Sequence, residues 1–271
     1  MITNTHRIPG LTLTDHEFNV PQDYTNQNGE KLTVFAREIV APEREKEQLP
    51  WILFLQGGPG YHAPRPNENS GWLKRALEEY RVLLLDQRGT GLSSPVLSQT
   101  MQRFANPQEQ ADYLKFFRAD SIVKDAEWIR AQLIGERQPW SVLGQSYGGF
   151  CAVHYLSAAP GSLREVILTG GLPPLAASPD DIYRATYQRV IEKNRLYFER
   201  YPGDVKRAAD ICAYLGKNSV QLPGRGRLSI KRFQQLGIAF GSSDGFEQVH
   251  YMLENAFVAA AAGLELSYSF L

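Results

Sequence analysis

Apolar residues along the chain follow two rhythms. Short continuous runs at 51–55, 82–85, 140–143 and 166–168 alternate with stretches at 72–80 and 122–133 in which apolar residues recur every three or four positions. Runs apolar at every position suit strands covered on both faces, and the wider spacing suits amphipathic helices. Their alternation predicts βαβ units in a mostly parallel sheet flanked by helices, an α/β class. Ahead of them, 11–20 and 32–40 flank the turn cluster Asn26-Gln27-Asn28-Gly29 and predict an antiparallel pair, with the charged stretch 42–48 as a link to the core. Asp120 or Ser121 is placed to cap the 122–133 helix. After 140–143, Phe150, Val153 and Leu156 predict an apolar helix stripe ending near Pro160-Gly161.

The texture changes at Gly170-Gly171-Leu172-Pro173-Pro174. Long, charged, tyrosine-rich helical stretches begin near Pro179-Asp180 and run to the end, with an alanine run at 259–262 that suits a helix. This divides the chain into an α/β core over 1–171 and a helical cap over 172–271, the alternative being a separate small helical domain. Composition narrows the partners. With 29 basic and 29 acidic side chains in 271 residues and no lysine or arginine block, nucleic acid is not the expected partner. No apolar run reaches membrane-spanning length, and residues 1–10 lack a signal-peptide core. The two cysteines, Cys151 and Cys212, are too few for a disulfide framework and read as core packing, so the expected setting is the cytoplasm. Oligomeric state is left open.

Chemistry concentrates where strands end. Gly144-Gln145-Ser146-Tyr147-Gly148-Gly149 lies between an apolar strand and a helix, the setting of a G-x-S-x-G nucleophile elbow. A serine on such a turn is held in strained backbone angles, and small neighbours let the chain pass close by. Ser146 is then the candidate nucleophile, and the free N–H of Tyr147 at the helix start faces a developing oxyanion. The bland alternative is a glycine-rich helix start. Gln56-Gly57-Gly58-Pro59-Gly60 follows the 51–55 strand and offers Gly57 or Gly58 as the second oxyanion N–H. Asp86-Gln87-Arg88-Gly89-Thr90-Gly91-Leu92-Ser93 follows the 82–85 strand, and Asp86 and Arg88 are expected to tie down the loop rather than to react.

These three strings, in this order and at these strand ends, resemble the α/β-hydrolase fold and, more narrowly, the prolyl aminopeptidase (proline iminopeptidase) family. The likeness continues through 241–257. It implies a serine exopeptidase that releases N-terminal proline, or a similar residue, from peptides through an acyl-enzyme on Ser146, with no metal or cofactor. It also implies cap carboxylates that hold the substrate's free amino group. Glu247 and Glu254 lie seven residues apart in a predicted helix and can share a face with Tyr251, although a solvated face explains the same spacing. Gln56 departs from the family, which commonly has His there; the backbone donors survive that change.

A triad also needs a histidine and a carboxylate, in the order Ser, Asp, His on later strand ends. Downstream of Ser146 stand only His154, about 12 Å along the nucleophile helix, and His250 in the cap stretch. Neither suits, and neither does the upstream His62. The expectation is therefore a C-terminally truncated chain, with the last core strands, the Asp and the His beyond residue 271 and little peptidase activity in the chain as it stands. A carboxylesterase-type hydrolase on the same fold and a catalytically inert hydrolase-like binding protein remain as alternatives.

Overall fold

The computed structural model describes residues 1–224, 226–261 and 263–271. They form two compact units, Met1–Pro174 and Leu175–Leu271.

Unit 1 is built on a seven-stranded sheet of order β1-β2-β3-β5-β4-β6-β7. The strands are β1 (Ile2–Ile8), β2 (Leu11–Pro21), β3 (Lys31–Val40), β4 (Trp51–Leu55), β5 (Arg81–Leu85), β6 (Trp140–Gln145) and β7 (Leu163–Thr169). The first three run antiparallel, and β5, β4, β6 and β7 run parallel. In β4, Leu53 and Leu55 join the core on one face while Ile52 and Phe54 join that on the other, which is why every position reads apolar. The helices α4 (Ala119–Ile134) and α5 (Tyr147–Ala158) cover the first face and α1 (Gly71–Leu77) the second. Two short helices, α2 (Ser98–Met101) and α3 (Pro107–Leu114), precede α4.

Three expectations need correction here, and one strand was not foreseen. The 166–168 run is not covered on both faces, since Ile167 of β7 is 44% exposed. Phe150 and Leu156 are exposed, and α5 buries Gly148, Gly149, Cys151, Ala152 and Tyr155 instead. Small residues face the sheet because the helix axis must come close to it. The N-cap of α4 is Arg118, without a side-chain cap, and Asp120 sits in the first turn, where its charge meets the helix dipole. β1 has no counterpart in the sequence reading, because its burial is slight and it carries no alternating pattern.

Unit 2 holds α6 (Pro179–Arg200), α7 (Gly203–Lys217), α8 (Ile230–Gln234) and α9 (Gly245–Glu254). Ser178 caps α6 in a reciprocal box with Asp181, with Pro179 at the first helical position. Its core gathers Tyr197, Ile211, Leu215, Phe233, Phe240, Val249 and Leu253. The unit is not wholly helical: β8 (Val220–Gln221) pairs with β9 (Arg227–Leu228), and β10 (Phe257–Ala260) with β11 (Gly263–Leu266). The alanine run is corrected accordingly. Ala259 and Ala260 lie in β10, where pairing with β11 overrides a weak helical preference, and residue 262 is outside the described residues.

Candidate active site

Ser146 stands alone between the end of β6 and the start of α5. Its φ of 54° and ψ of −118° fall where non-glycine residues rarely go, a strain on the order of 1–3 kcal/mol that the surroundings must hold. Main-chain hydrogen bonds hold it: Ser146 N–H donates to Thr169 at 2.9 Å, and Gly149 N–H donates back to Ser146 O at 2.8 Å. The side chain is exposed. Since α5 begins at Tyr147, the N–H of Tyr147 has no partner within its own helix, and the positive end of the helix lies at the serine.

Two glycines make room. A Cβ on Gly57 would stand 2.9 Å from Ser146 Cβ and 3.4 Å from its Oγ, so the backbone after β4 runs directly past the nucleophile. A Cβ on Gly148 would strike the Leu55 carbonyl, so α5 meets β4 only with glycine there. Of the two oxyanion candidates, the structure brings Gly57 to Ser146, whereas a Cβ on Gly58 would meet Gly60 and Tyr61. A cavity of about 260 Å³ opens nearby, lined by Pro59, Gly60, Thr90, Phe117 and Tyr147. Burial pushes the Tyr147 phenol up to about 12 and the Cys151 thiol up to about 12, so both stay protonated at neutral pH and Cys151 does not compete as a nucleophile.

The Asp-Gln-Arg string carries the neighbouring loops. Asp86 accepts from Ala63 N–H and Leu92 N–H, each at 3.0 Å, and from Arg65. Gln87 Nε2 donates to the Gln56 carbonyl at 2.9 Å, joining this loop to the glycine loop. Arg88 donates to Pro21 O, Gln22 O and Phe116 O, and pairs with Asp125 of α4, their side chains 0% and 1% exposed. The sequence reading missed Arg65, Gln87 and Asp125. Asp125 had a signal, a carboxylate between the core positions Ile122, Ala126 and Ile129. Gln56 buries its Oε1 without a hydrogen-bond partner among the described residues.

In unit 2, Glu247, Tyr251 and Glu254 share α9. Each carboxylate has a partner. Arg200 Nη1 lies 2.6 Å from Glu247, Tyr201 Oη donates to it at 3.1 Å, and its own backbone N–H together with Arg200 holds its carboxyl below the usual range. Glu254 faces His250 Nε2 at 3.2 Å, and Tyr251 is exposed. His250 Nδ1 is bonded to Asp204, His62 Nδ1 lies 2.7 Å from Ala63 O, and His154 is half-buried on α5. Among the described residues of unit 1, no histidine hydrogen-bonds Ser146 Oγ. No helix is long and apolar enough to cross a membrane among the described residues, and no group of three His, Cys, Asp or Glu side chains there could hold a metal ion.

Comparison with known proteins adds a family. Residues 50–254 match the profile of the alpha/beta hydrolase fold. A proline iminopeptidase of Aeromonas sobria is 50% identical over 252 residues, 93% of this chain and 59% of that protein. A proline iminopeptidase of Aspergillus aculeatus is 39% identical over 257 residues, 92% of this chain and 57% of that one. The chain thus spans less than two thirds of the length of these curated relatives. An α/β hydrolase of known structure from Novosphingobium aromaticivorans is 16% identical with a TM-score of 0.44, covering 95% of this chain and 70% of that chain.

Proposed function

The chain belongs to the α/β-hydrolase fold family, and from that premise we propose that it acts as a serine exopeptidase releasing N-terminal proline from peptides. The observation that carries this reading is the strained Ser146 with Gly57 against it. As a general base takes its hydroxyl proton, Ser146 Oγ adds to the carbonyl of the terminal residue, the N–H groups of Tyr147 and Gly57 receive the oxyanion, and the base passes that proton to the departing peptide nitrogen. The peptide departs with a new amino terminus, and water then releases proline from the ester on Ser146. Glu247 and Glu254, with Tyr251 beside them, take the substrate's ammonium, which restricts cleavage to the chain terminus. The names and identities of the two iminopeptidase relatives support this substrate. The cytoplasm is its proposed setting, consistent with two unpaired cysteines.

The test compares hydrolysis of an L-prolyl anilide, its N-acetylated form and p-nitrophenyl acetate by the full-length protein and by its Ser146→Ala variant. The expected result is cleavage of the free-amine anilide that depends on Ser146, with the acetylated form refused. Equal cleavage of both anilides, or activity surviving Ser146→Ala, overturns the reading. Preference for the acetate ester would point instead to a carboxylesterase.

A further inference from the structure

Three helices of unit 2 converge on one carboxylate. Asp204, fully buried in the first turn of α7, accepts from Tyr197 Oη of α6, from Arg207 Nη1 of α7 at 2.6 Å and from His250 Nδ1 of α9 at 2.9 Å. This fixes the imidazole, and the imidazole touches both carboxylate arrangements on α9. Its edge presents Nε2 to Glu254 Oε1 at 3.2 Å. Its face stacks on Tyr201 with centroids 3.9 Å apart and planes 10° apart, and Tyr201 is the residue whose hydroxyl donates to Glu247. A ring held at one nitrogen by a buried carboxylate has its orientation set, and with it the direction of its second nitrogen.

We propose that the Asp204–His250 pair positions both α9 carboxylates for the substrate's ammonium, Glu254 through the edge of the ring and Glu247 through Tyr201 stacked on its face. His250 is a positioning residue: it touches the ligand's holders and leaves the ligand to them. The inference rests on the reading that these carboxylates take the amino terminus.

Calorimetric binding of L-prolinamide and N-acetyl-L-prolinamide to the full chain, in a Ser146→Ala background that prevents turnover, tests it. His250→Asn keeps a donor for Asp204 but is too short to reach Glu254. It should raise the Kd for L-prolinamide about tenfold, the scale of losing one polar contact that places a charged group, and leave the acetylated ligand unaffected. His250→Gln, which restores a donor towards Glu254, should recover part of that loss. Tyr201→Phe keeps the ring and frees Glu247, for an expected rise of about threefold. General loosening of the helices would instead weaken both ligands alike. If His250→Asn fails to fold, the Gln and Phe variants decide. Parent-like affinity for L-prolinamide in the His250 and Tyr201 variants, with Glu254→Gln weakened, overturns this inference and leaves the functional reading standing. A parent protein that does not prefer the free amine over the acetylated ligand overturns both.

Discussion

Unit 1 places its chemistry with main chain, and unit 2 places its candidate residues with side chains. Ser146 is held by two backbone hydrogen bonds and by glycines that let strands, loop and helix close on it. Glu247 and Glu254 are held by Arg200, Tyr201 and His250, and behind His250 by Asp204, which comes from another helix. Each unit also has a buried carboxylate paired across a junction of helix and loops or of helices, Asp125 under the loops of unit 1, where Asp86 is buried as well, and Asp204 between the helices of unit 2. Main-chain placement is local and tolerates little change in residue size. Side-chain placement is distributed, and it depends on partners keeping their charge.

The contrast is tested most severely at Arg88. Arg88→Met leaves the Asp125 carboxylate buried without its cation and three backbone carbonyls without their donor. We expect a loss of about 3–5 kcal/mol in urea unfolding of unit 1, the usual cost of breaking a buried pair from one side. Amide exchange in α7 and α9 should be unchanged, because nothing in unit 2 relies on that pair. A variant that melts both units equally would show that the two are not independent in this respect.

A smaller and more local effect is expected at Gly57. Gly57→Ala puts a methyl 2.9 Å from Ser146 Cβ, so either the loop or the elbow must shift by a few tenths of an ångström. Small misplacements at a reacting centre are costly, and we expect turnover of the prolyl anilide to fall about 100-fold. The melting temperature should move by only a few degrees, on the order of the shift given by 1 kcal/mol in a domain of this size. A large loss of stability with normal turnover of the folded fraction would assign Gly57 to folding rather than to the site.

The same division decides what the sequence could reveal. Ser146, Tyr147, Gly57 and Asp86 stand in strings of five to eight residues directly after apolar runs, so the turn chemistry and the strand are read together. The parallel strands β4, β5 and β6 were legible because both faces of each are covered, whereas the apolar run of β7 marks a strand whose Ile167 is exposed. The α5 stripe was misread because the helix packs through glycine, alanine and cysteine, and a search for large apolar residues finds its outer face. Glu247 and Glu254 could be placed on one helix by spacing, and His250 stands one turn before Glu254 on it, but the partners Arg200 and Tyr201 could not be read, since their contacts with Glu247 span 46 or 47 positions. Asp204 was invisible for the same reason. It reads as an ordinary acidic residue in a first helical turn, and only the fold shows it buried.

Acid should separate the two junctions, because their carboxylates are shifted in opposite directions. Burial works to raise the Asp204 carboxyl, and hydrogen bonds from Tyr197, His250 and Arg207 more than offset it, holding it below the ordinary value. Burial raises the Asp125 carboxyl further than the bonds from Arg88 and Tyr24 lower it. An unfolded aspartate takes up its proton near pH 3.9 or so. For Asp204 the unfolded chain protonates before the native one, so its contribution is complete above about pH 4 and is lost as pH falls below it. For Asp125 the native state protonates first, so acidification through the same window does not weaken that carboxylate's contribution. Hydrogen exchange between pH 6 and pH 3, corrected for intrinsic rates, should therefore show α7 and α9 losing protection before the amides of residues 86–93. Asp204→Asn should flatten the pH dependence in α7 and α9 while lowering their protection at neutral pH. Loss of protection at both junctions together, with Asp204→Asn unchanged from the parent, would mean that this buried carboxylate does not govern the order in which the units open.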